Sequence, residues 1–143
     1  MEFREISFNS PAYALELQLR EDILSKPLGR TRKDWEQTSH ENTQLHFGLF
    51  DSEKLIACVV AAPISSTEIK IRQMAVSSEY QRKGIGLTLI NEVEKNLKNR
   101  GFKHFTLHAR TPVIDFYKKL GYTINGHEFI EATLPHLKMI KTA

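Results

Sequence analysis

Ser77-Ser78-Glu79-Tyr80-Gln81-Arg82-Lys83-Gly84-Ile85-Gly86 stands between a strand-like run, Glu68–Val76, and a helix-like run that continues to about Asn99. The fold turns on this junction. A helix start leaves backbone N–H groups unpaired and carries a partial positive charge. Gly84 and Gly86 bring no Cβ, so the backbone there can come close to a ligand. Arg82 and Lys83 add full positive charge at the same rim. Together these features describe a pocket for phosphate. A glycine-bearing turn with two solvated bases is the plainer reading of the same residues. Two nucleotide motifs are excluded. The Rossmann fingerprint needs a further glycine where Leu89 stands, and a P-loop needs a Gly-Lys-Ser/Thr tripeptide that the chain lacks.

Working outward, Ile90, Val93 and Leu97 give the helix a buried stripe, and Glu94 with Lys98 reads as an i,i+4 pair on its exposed side. Gly101 stops it. Lys103–Ala109 reads as a strand, and Pro112–Leu120 as a helix with proline in its first turn and Gly121 as its terminator. Tyr122–Glu131 and Leu137–Ile140 are the final strands. A turn at Ala132–Pro135 is preferred over one at Asn125-Gly126, which would leave very short arms.

Upstream, Ile69 and Ile71 face one side of the Glu68–Val76 strand, and Met74 and Val76 the other. That switch points to a bulge near Gln73–Met74. Gln44–Phe50 and Leu55–Ala62 form a hairpin across Asp51–Lys54. Phe3–Phe8 is a first strand. Asn9-Ser10-Pro11 opens a helix on which Ala12, Leu15, Leu19 and Ile23 recur at helical spacing, closed by Lys26–Gly29. The segment Gly29–Gln44 is polar and basic, with Trp35 its one large apolar residue, and reads as a loop or short helix. The sum is an α/β chain with more strands than helices.

The length, 143 residues, predicts a single domain over residues 1–143. Hydrophobic residues at 41% and charged residues at 26% are ordinary for a soluble globular chain. The longest apolar run, Leu55–Ile64, falls short of the ~20 residues a membrane helix needs. A formal charge of +3 suits an anionic small ligand as well as a polyanion. Nucleic acid is not expected as a partner, because Arg30, Arg32, Lys33 and the Lys95–Lys103 cluster lie on separate elements with no aromatic platform. Cys58 has no second cysteine to pair with, and the opening MEFREISFNS has no apolar signal core, so a cytoplasmic location is expected. The histidines show no metal-ligand spacing, and no metal is expected.

Met74-Ala75-Val76 followed by Gln81-Arg82-Lys83-Gly84-Ile85-Gly86-Leu87, and then Leu107 to Tyr122 with Phe116-Tyr117-Lys118-Lys119-Leu120-Gly121-Tyr122, stand in the order and separation of two blocks of a known family. The chain resembles the GCN5-related N-acetyltransferase (GNAT) superfamily. The ending Glu131–Met139 is similar to a branch of small bacterial members that finish in a Pro-His strand. The resemblance implies a mixed, mostly antiparallel sheet with a central splayed parallel pair, flanked by helices. It implies acetyl-CoA as co-substrate in the gap between the strands ending near Val76 and Ala109.

On that resemblance the pantetheine arm pairs with backbone at Met74, Ala75 and Val76. The segment Gln81, Arg82, Lys83, Gly84, Ile85, Gly86 and Leu87 holds the pyrophosphate. Arg110, Val113, Phe116 and Tyr117 lie along the cofactor. Met74 supplies the backbone N–H that polarises the acetyl carbonyl, where negative charge grows. Tyr117 is the acid that protonates the departing thiolate: a tyrosine at ~10 is protonated at neutral pH, whereas a free thiol ionises at ~8.5. Phe116 beside it takes the packing role. The glutamate that one branch uses as base aligns with Lys70 here and does not carry over. Glu68, Glu131 and His136 remain as base candidates. Arg110 replaces a common asparagine. The implied activity is N-acetylation of a small-molecule or peptide amine by direct attack. The alternative is a non-catalytic acyl-CoA binding or sensing module on the same fold. The acceptor side falls to the first helix, Gly29–Gln44 with Trp35, His40 and Glu41, and the last hairpin. A homodimer is reasonable by analogy.

Overall fold

The structure, a computed structural model, describes residues 1–32 and 40–143; Lys33 and Trp35 lie outside the described residues. The strands are β1 Glu2–Ile6, β2 Leu45–Asp51, β3 Lys54–Pro63, β4 Glu68–Val76, β5 His104–Arg110, β6 Thr123–Ile124, β7 Phe129–Glu131 and β8 Leu134–Thr142. They form one sheet in the order β1-β2-β3-β4-β5-β8-β6, with β7 also paired to β8. Each pairing is antiparallel except that of β4 with β5.

That parallel pair holds only from Glu68↔His104 to Ile71↔Leu107. Beyond it the two strands part, and the reason lies on the other edge of β4. Cys58 pairs with Ala75 and Val60 with Arg72, so Gln73 and Met74 together face Val59. The extra residue is the expected bulge, with Gln73 at φ +54. A bulge bends its strand and ends regular pairing. The splay is therefore built into β4 itself.

The helices are α1 Pro11–Arg20, α2 Ile85–Asn99 and α3 Ile114–Lys119. The α2 helix turns Leu89, Ile90, Val93 and Leu97 onto one face of the sheet, against Phe47, Ile69, Ile71, Phe105 and Leu107. Each such side chain contributes about 1.5–3 kcal/mol when fully buried. On the other face α1 covers Ile6, Phe50, Leu55, Cys58 and Ala75 with Tyr13 and Leu17. With both faces covered, β3 is buried from Leu55 to Ala61, which accounts for its unbroken apolar run.

Two helix faces differ from expectation. On α1 the stripe turned to the sheet is Tyr13, Glu16, Leu17 and Arg20, while Leu15 is 45% exposed. Glu16 and Arg20 neutralise each other there and with further charges, so the buried face is partly ionic. On α2, Glu94 is not on the exposed side with Lys98. It is buried, accepts a hydrogen bond from the Tyr122 hydroxyl at 2.9 Å, and pairs with Lys141 Nζ at 2.7 Å. Both partners are far away in sequence, so no local pattern announces them.

The first helix does not end cleanly. It widens into a π-turn at Glu21–Ser25, tightens at Lys26–Leu28 and stops at Gly29, φ +67. At the other end, Ala132 and Thr133, φ +49 and +66, form the two-residue turn between β7 and β8. It falls within the expected turn Ala132–Pro135, whose last two residues, Leu134 and Pro135, are instead paired with β7. The expected strand Tyr122–Glu131 is divided into β6 and β7, both paired to β8. Among the described residues no helix is long and apolar enough to cross a membrane.

Candidate active site

A cleft of about 880 Å³ opens where β4 and β5 part. Its walls are the bulged end of β4, the end of β5, the start of α2, α3, the turn after α1, and the β7–β8 hairpin. Met74, Ala75, Val76, Gln81, Arg82, Gly84, Ile85, Gly86, Leu87, Arg110, Val113, Phe116 and Tyr117 all line it, as do Glu131 and His136. Of the expected cofactor and base residues, Lys83 and Glu68 do not line it. Lys83 points its ammonium over the Tyr80 ring, 5.7 Å from the centroid. Glu68 lies at the closed end of the splay, opposite His104.

The junction before α2 is shaped by two left-handed residues, Arg82 at φ +63 and Gly84 at φ +77. The Gln81 amide donates to the Val76 carbonyl at 2.9 Å and ties the loop to the end of β4. Gly84 is the N-cap, and no side chain caps the helix. The first-turn amides therefore face the cleft without a side-chain acceptor, at the positive end of the helix dipole. Gly86 keeps this rim low. A Cβ there would sit 3.3 Å from Phe116 Cζ and 3.6 Å from Met74 Cε.

On the facing wall, Tyr117 is 8% exposed and Phe116 half-buried. This reverses the division expected for the pair, because Phe116 packs on Gly86 while Tyr117 reaches inward. The two rings meet edge-on at 5.0 Å, and Tyr117 meets Tyr122 at 5.8 Å. Burial pushes the Tyr117 hydroxyl up to about 12. It is a bound proton at neutral pH, and among the described residues no group accepts it.

The third wall carries a cluster that sequence spacing did not bring together. His108 Nδ1 lies 3.0 Å from Glu131 Oε1, and His136 Nε2 lies 3.8 Å from Glu131 Oε2. His136 Nδ1 donates to the Leu134 carbonyl at 2.9 Å, which leaves Nε2 as the nitrogen turned toward Glu131. The Phe129 ring stacks on His136 at 6.0 Å and meets His108 edge-on at 5.0 Å. His108 alternates with the core residues of β5, and only the β5–β8 register reveals its neighbour. Lys70 on β4 completes the wall. Burial lowers its pKa more than Glu131 raises it, and Arg72 adds to the fall.

Glu41 and His40 do not line the cleft. Glu41 is buried, accepting from Arg20 Nη1 at 2.7 Å, from the Tyr13 hydroxyl at 2.9 Å and from Arg72 Nη1 at 2.8 Å. Glu16, Glu41 and His46 bring potential ligand atoms within 4.8 Å of one another. The Arg20 guanidinium already bridges the two carboxylates, at 2.8 and 2.7 Å, so the cation of this cluster is a side chain. Ile23, Leu24, Leu28 and Arg30, from the turn after α1, line the cleft as well. Widened helical turns recur at functional sites, but no sequence pattern marks this one.

Comparison with known proteins agrees with this architecture. A protein of Bacillus subtilis named an uncharacterized N-acetyltransferase, YjcF, is 30% identical over 102 residues, 71% of this chain and 72% of its own. Another from the same organism, YyaT, is 33% identical over 72 residues, and the match spans only 49% of that protein. Among solved structures, an aminoglycoside 6'-N-acetyltransferase complexed with coenzyme A superimposes with a TM-score of 0.79 at 21% identity. That superposition covers 99% of this chain and 97% of the other. The family model for the acetyltransferase (GNAT) domain matches residues 24–143. The chain therefore belongs to the GNAT acetyltransferase family.

Proposed function

We propose that this protein is an acetyl-CoA-dependent N-acetyltransferase acting on a primary amine by direct attack. One observation carries the reading: the bulge at Gln73–Met74 splays β4 from β5 so that an uncapped helix start and Tyr117 line the same cleft. The residues fit acetyl-CoA. Gly86 leaves a cradle that a Cβ would narrow. Arg82, Arg110 and Lys119 line the cleft with positive charge, and the first-turn amides of α2 complement a pyrophosphate.

Bound there, acetyl-CoA supplies an acetyl thioester, and the chain's own groups do the rest. The Met74 N–H at the bulge polarises the acetyl oxygen, where charge develops. Tyr117 gives its proton to the departing sulfur. An alkylamine of pKa ~10.4 costs about 4.6 kcal/mol to deprotonate at pH 7, so a base helps. Glu131 and His136 line the acceptor wall and are the candidates; Glu68, at the closed end of the splay, is not. The test is release of CoA thiol from acetyl-CoA across a panel of amines. Amine-dependent release that falls in Tyr117→Phe supports the reading. Tight acetyl-CoA binding with no release for any amine favours the acyl-CoA sensing module instead.

A further inference from the structure

The charges of the cleft are not balanced. Among the described residues that line it, the cations are Arg30, Lys70, Arg72, Arg82, Arg110 and Lys119, and the one carboxylate is Glu131. Arg82 belongs to the junction before α2, and Arg110 and Lys119 to the β5–α3 wall, where a pyrophosphate accounts for their charge. Arg72 is already engaged by Glu41 at 2.8 Å and Gln44 at 2.7 Å. Glu131 is engaged by His108 at 3.0 Å. Lys70 and Arg30 remain. Both are half-buried, and among the described residues neither side chain has an ion-pair partner.

Lys70 sits in the paired part of β4, opposite Thr106, on the same face as Arg72. The turn after α1 packs against β4 and brings Ile23, Leu24 and Leu28 to the cleft beside Arg30. A half-buried ammonium with no carboxylate in direct contact is costly. Its cost is recovered when an anion binds against it, and a second cation nearby is repelled. Burial lowers the Lys70 pKa more than the charge of Glu131 raises it, so the one carboxylate of the cleft does not offset the loss of water around the ammonium.

Resting on the acetyl-transfer reading above, we infer that the acceptor amine carries an anionic group, a carboxylate or a phosphate, received by Lys70 with Arg30, and an apolar body packed on Ile23, Leu24 and Leu28. Multiply cationic amines are poor acceptors here. Lys70 is a specificity residue, since it contacts the acceptor's anion and not the reacting carbonyl.

The experiment compares leucine with leucinamide, O-phosphoethanolamine with ethanolamine, and putrescine and kanamycin as polycations, each read as CoA release. Acetyl-CoA binding is followed in parallel by thermal shift. An acidic acceptor should exceed its neutral counterpart at least tenfold in kcat/KM. The leucine and phosphoethanolamine arms separate carboxylate from phosphate. Lys70→Gln should bring the pair within threefold, mainly through KM, and Lys70→Glu should turn the preference toward leucinamide and putrescine. The acetyl-CoA shift reports that each variant is folded, and Arg30→Gln gives a second reading of the same charge. Equal use of acid and amide, or a preference for putrescine or kanamycin, overturns the inference and leaves acetyl transfer standing. Silence toward every acidic amine with acetyl-CoA bound overturns it as well. Failure to bind acetyl-CoA removes the acetyl-transfer reading and this inference together.

Discussion

Arg72 lines the cleft from β4 and holds the buried Glu41 carboxylate at 2.8 Å. Through this contact the floor of the cleft is joined to a set of charges sealed beneath α1. Glu41 also accepts from Arg20, Arg20 donates to Glu16 at 2.8 Å, and Glu16 faces His46 Nδ1 at 2.8 Å. His46 Nε2 meets the Glu41 carbonyl at 2.9 Å. A carbonyl only accepts, so Nε2 carries a proton, and the carboxylate at Nδ1 favours a proton there too. The cluster is held together by two carboxylates set among three cationic side chains, Arg20, Arg72 and His46.

Removing the central anion should therefore be severe. Glu41→Ala leaves Arg20, Arg72 and His46 short of a partner in a buried place. Breaking one side of such a set costs about 3–5 kcal/mol. Urea unfolding should show a matching fall in the midpoint. A loss below about 1 kcal/mol, the range of an exposed pair, would contradict the buried pairing.

The same cluster sets the acid limit of stability. Burial works to raise the Glu41 carboxyl, but hydrogen bonds and charge from Arg20 and Arg72 outweigh it and hold it at about 2, against an ordinary 4.5. A depressed carboxylate contributes stability above its unfolded pKa and loses it as pH falls through the folded value. The contribution, on the order of 3 kcal/mol, should disappear between about pH 4.5 and 2. For His46, burial works to lower the pKa, but the Glu16 hydrogen bond and charge outweigh it and raise it above 6.5. Its contribution is complete below 6.5 and fades as pH rises through the raised value. Urea midpoints from pH 2 to 9 should fall at both ends, and Glu41→Gln should flatten the acid limb.

Gly86→Ala tests the cradle without changing charge. Gly86 lies within α2 at an ordinary helical φ, and alanine gains up to about 1 kcal/mol of helix propensity there. The new Cβ, 3.3 Å from Phe116 Cζ, takes back most of that gain. Stability should move by less than about 1 kcal/mol while acetyl-CoA affinity falls. Unchanged affinity would mean the ligand does not pass over this residue.

Tyr117→Phe separates proton delivery from packing. The hydroxyl is held at about 12 by burial, so no activity change from its ionisation is expected up to pH 10. The variant should keep its acetyl-CoA affinity and lose about 10²-fold in kcat, the lower range of general-acid effects. Equal losses of affinity and rate would assign Tyr117 a packing role.

Much of this was legible from local pattern. The face switch from Ile71 to Met74 showed the bulge, because a strand's side chains alternate strictly. The glycines after Arg82 showed the open helix start, because only the backbone matters there. The last hairpin turn was expected within Ala132–Pro135 from arm length alone, and the structure narrows it to Ala132 and Thr133. What was not legible is polar and long-range. Glu94 looked solvated because its partners, Tyr122 and Lys141, come from other elements. The buried stripe of α1 was read as Ala12, Leu15, Leu19 and Ile23, because an ionic stripe such as Glu16 with Arg20 does not register as a buried face. Glu41 looked like a substrate contact for the same reason. His108 and Glu131 meet only through β8, which pairs with β5 on one edge and with β7 on the other.

The central claim is that the splayed cleft binds acetyl-CoA. The most direct test is thermal unfolding with acetyl-CoA, ATP or NAD at equal concentration. At ~100 times Kd, binding adds ~2.7 kcal/mol, which for a chain of this length raises the midpoint by several degrees. A rise with acetyl-CoA, absent with ATP and NAD, is the expected result. No rise at saturating acetyl-CoA, or an equal rise with all three ligands, would contradict the account.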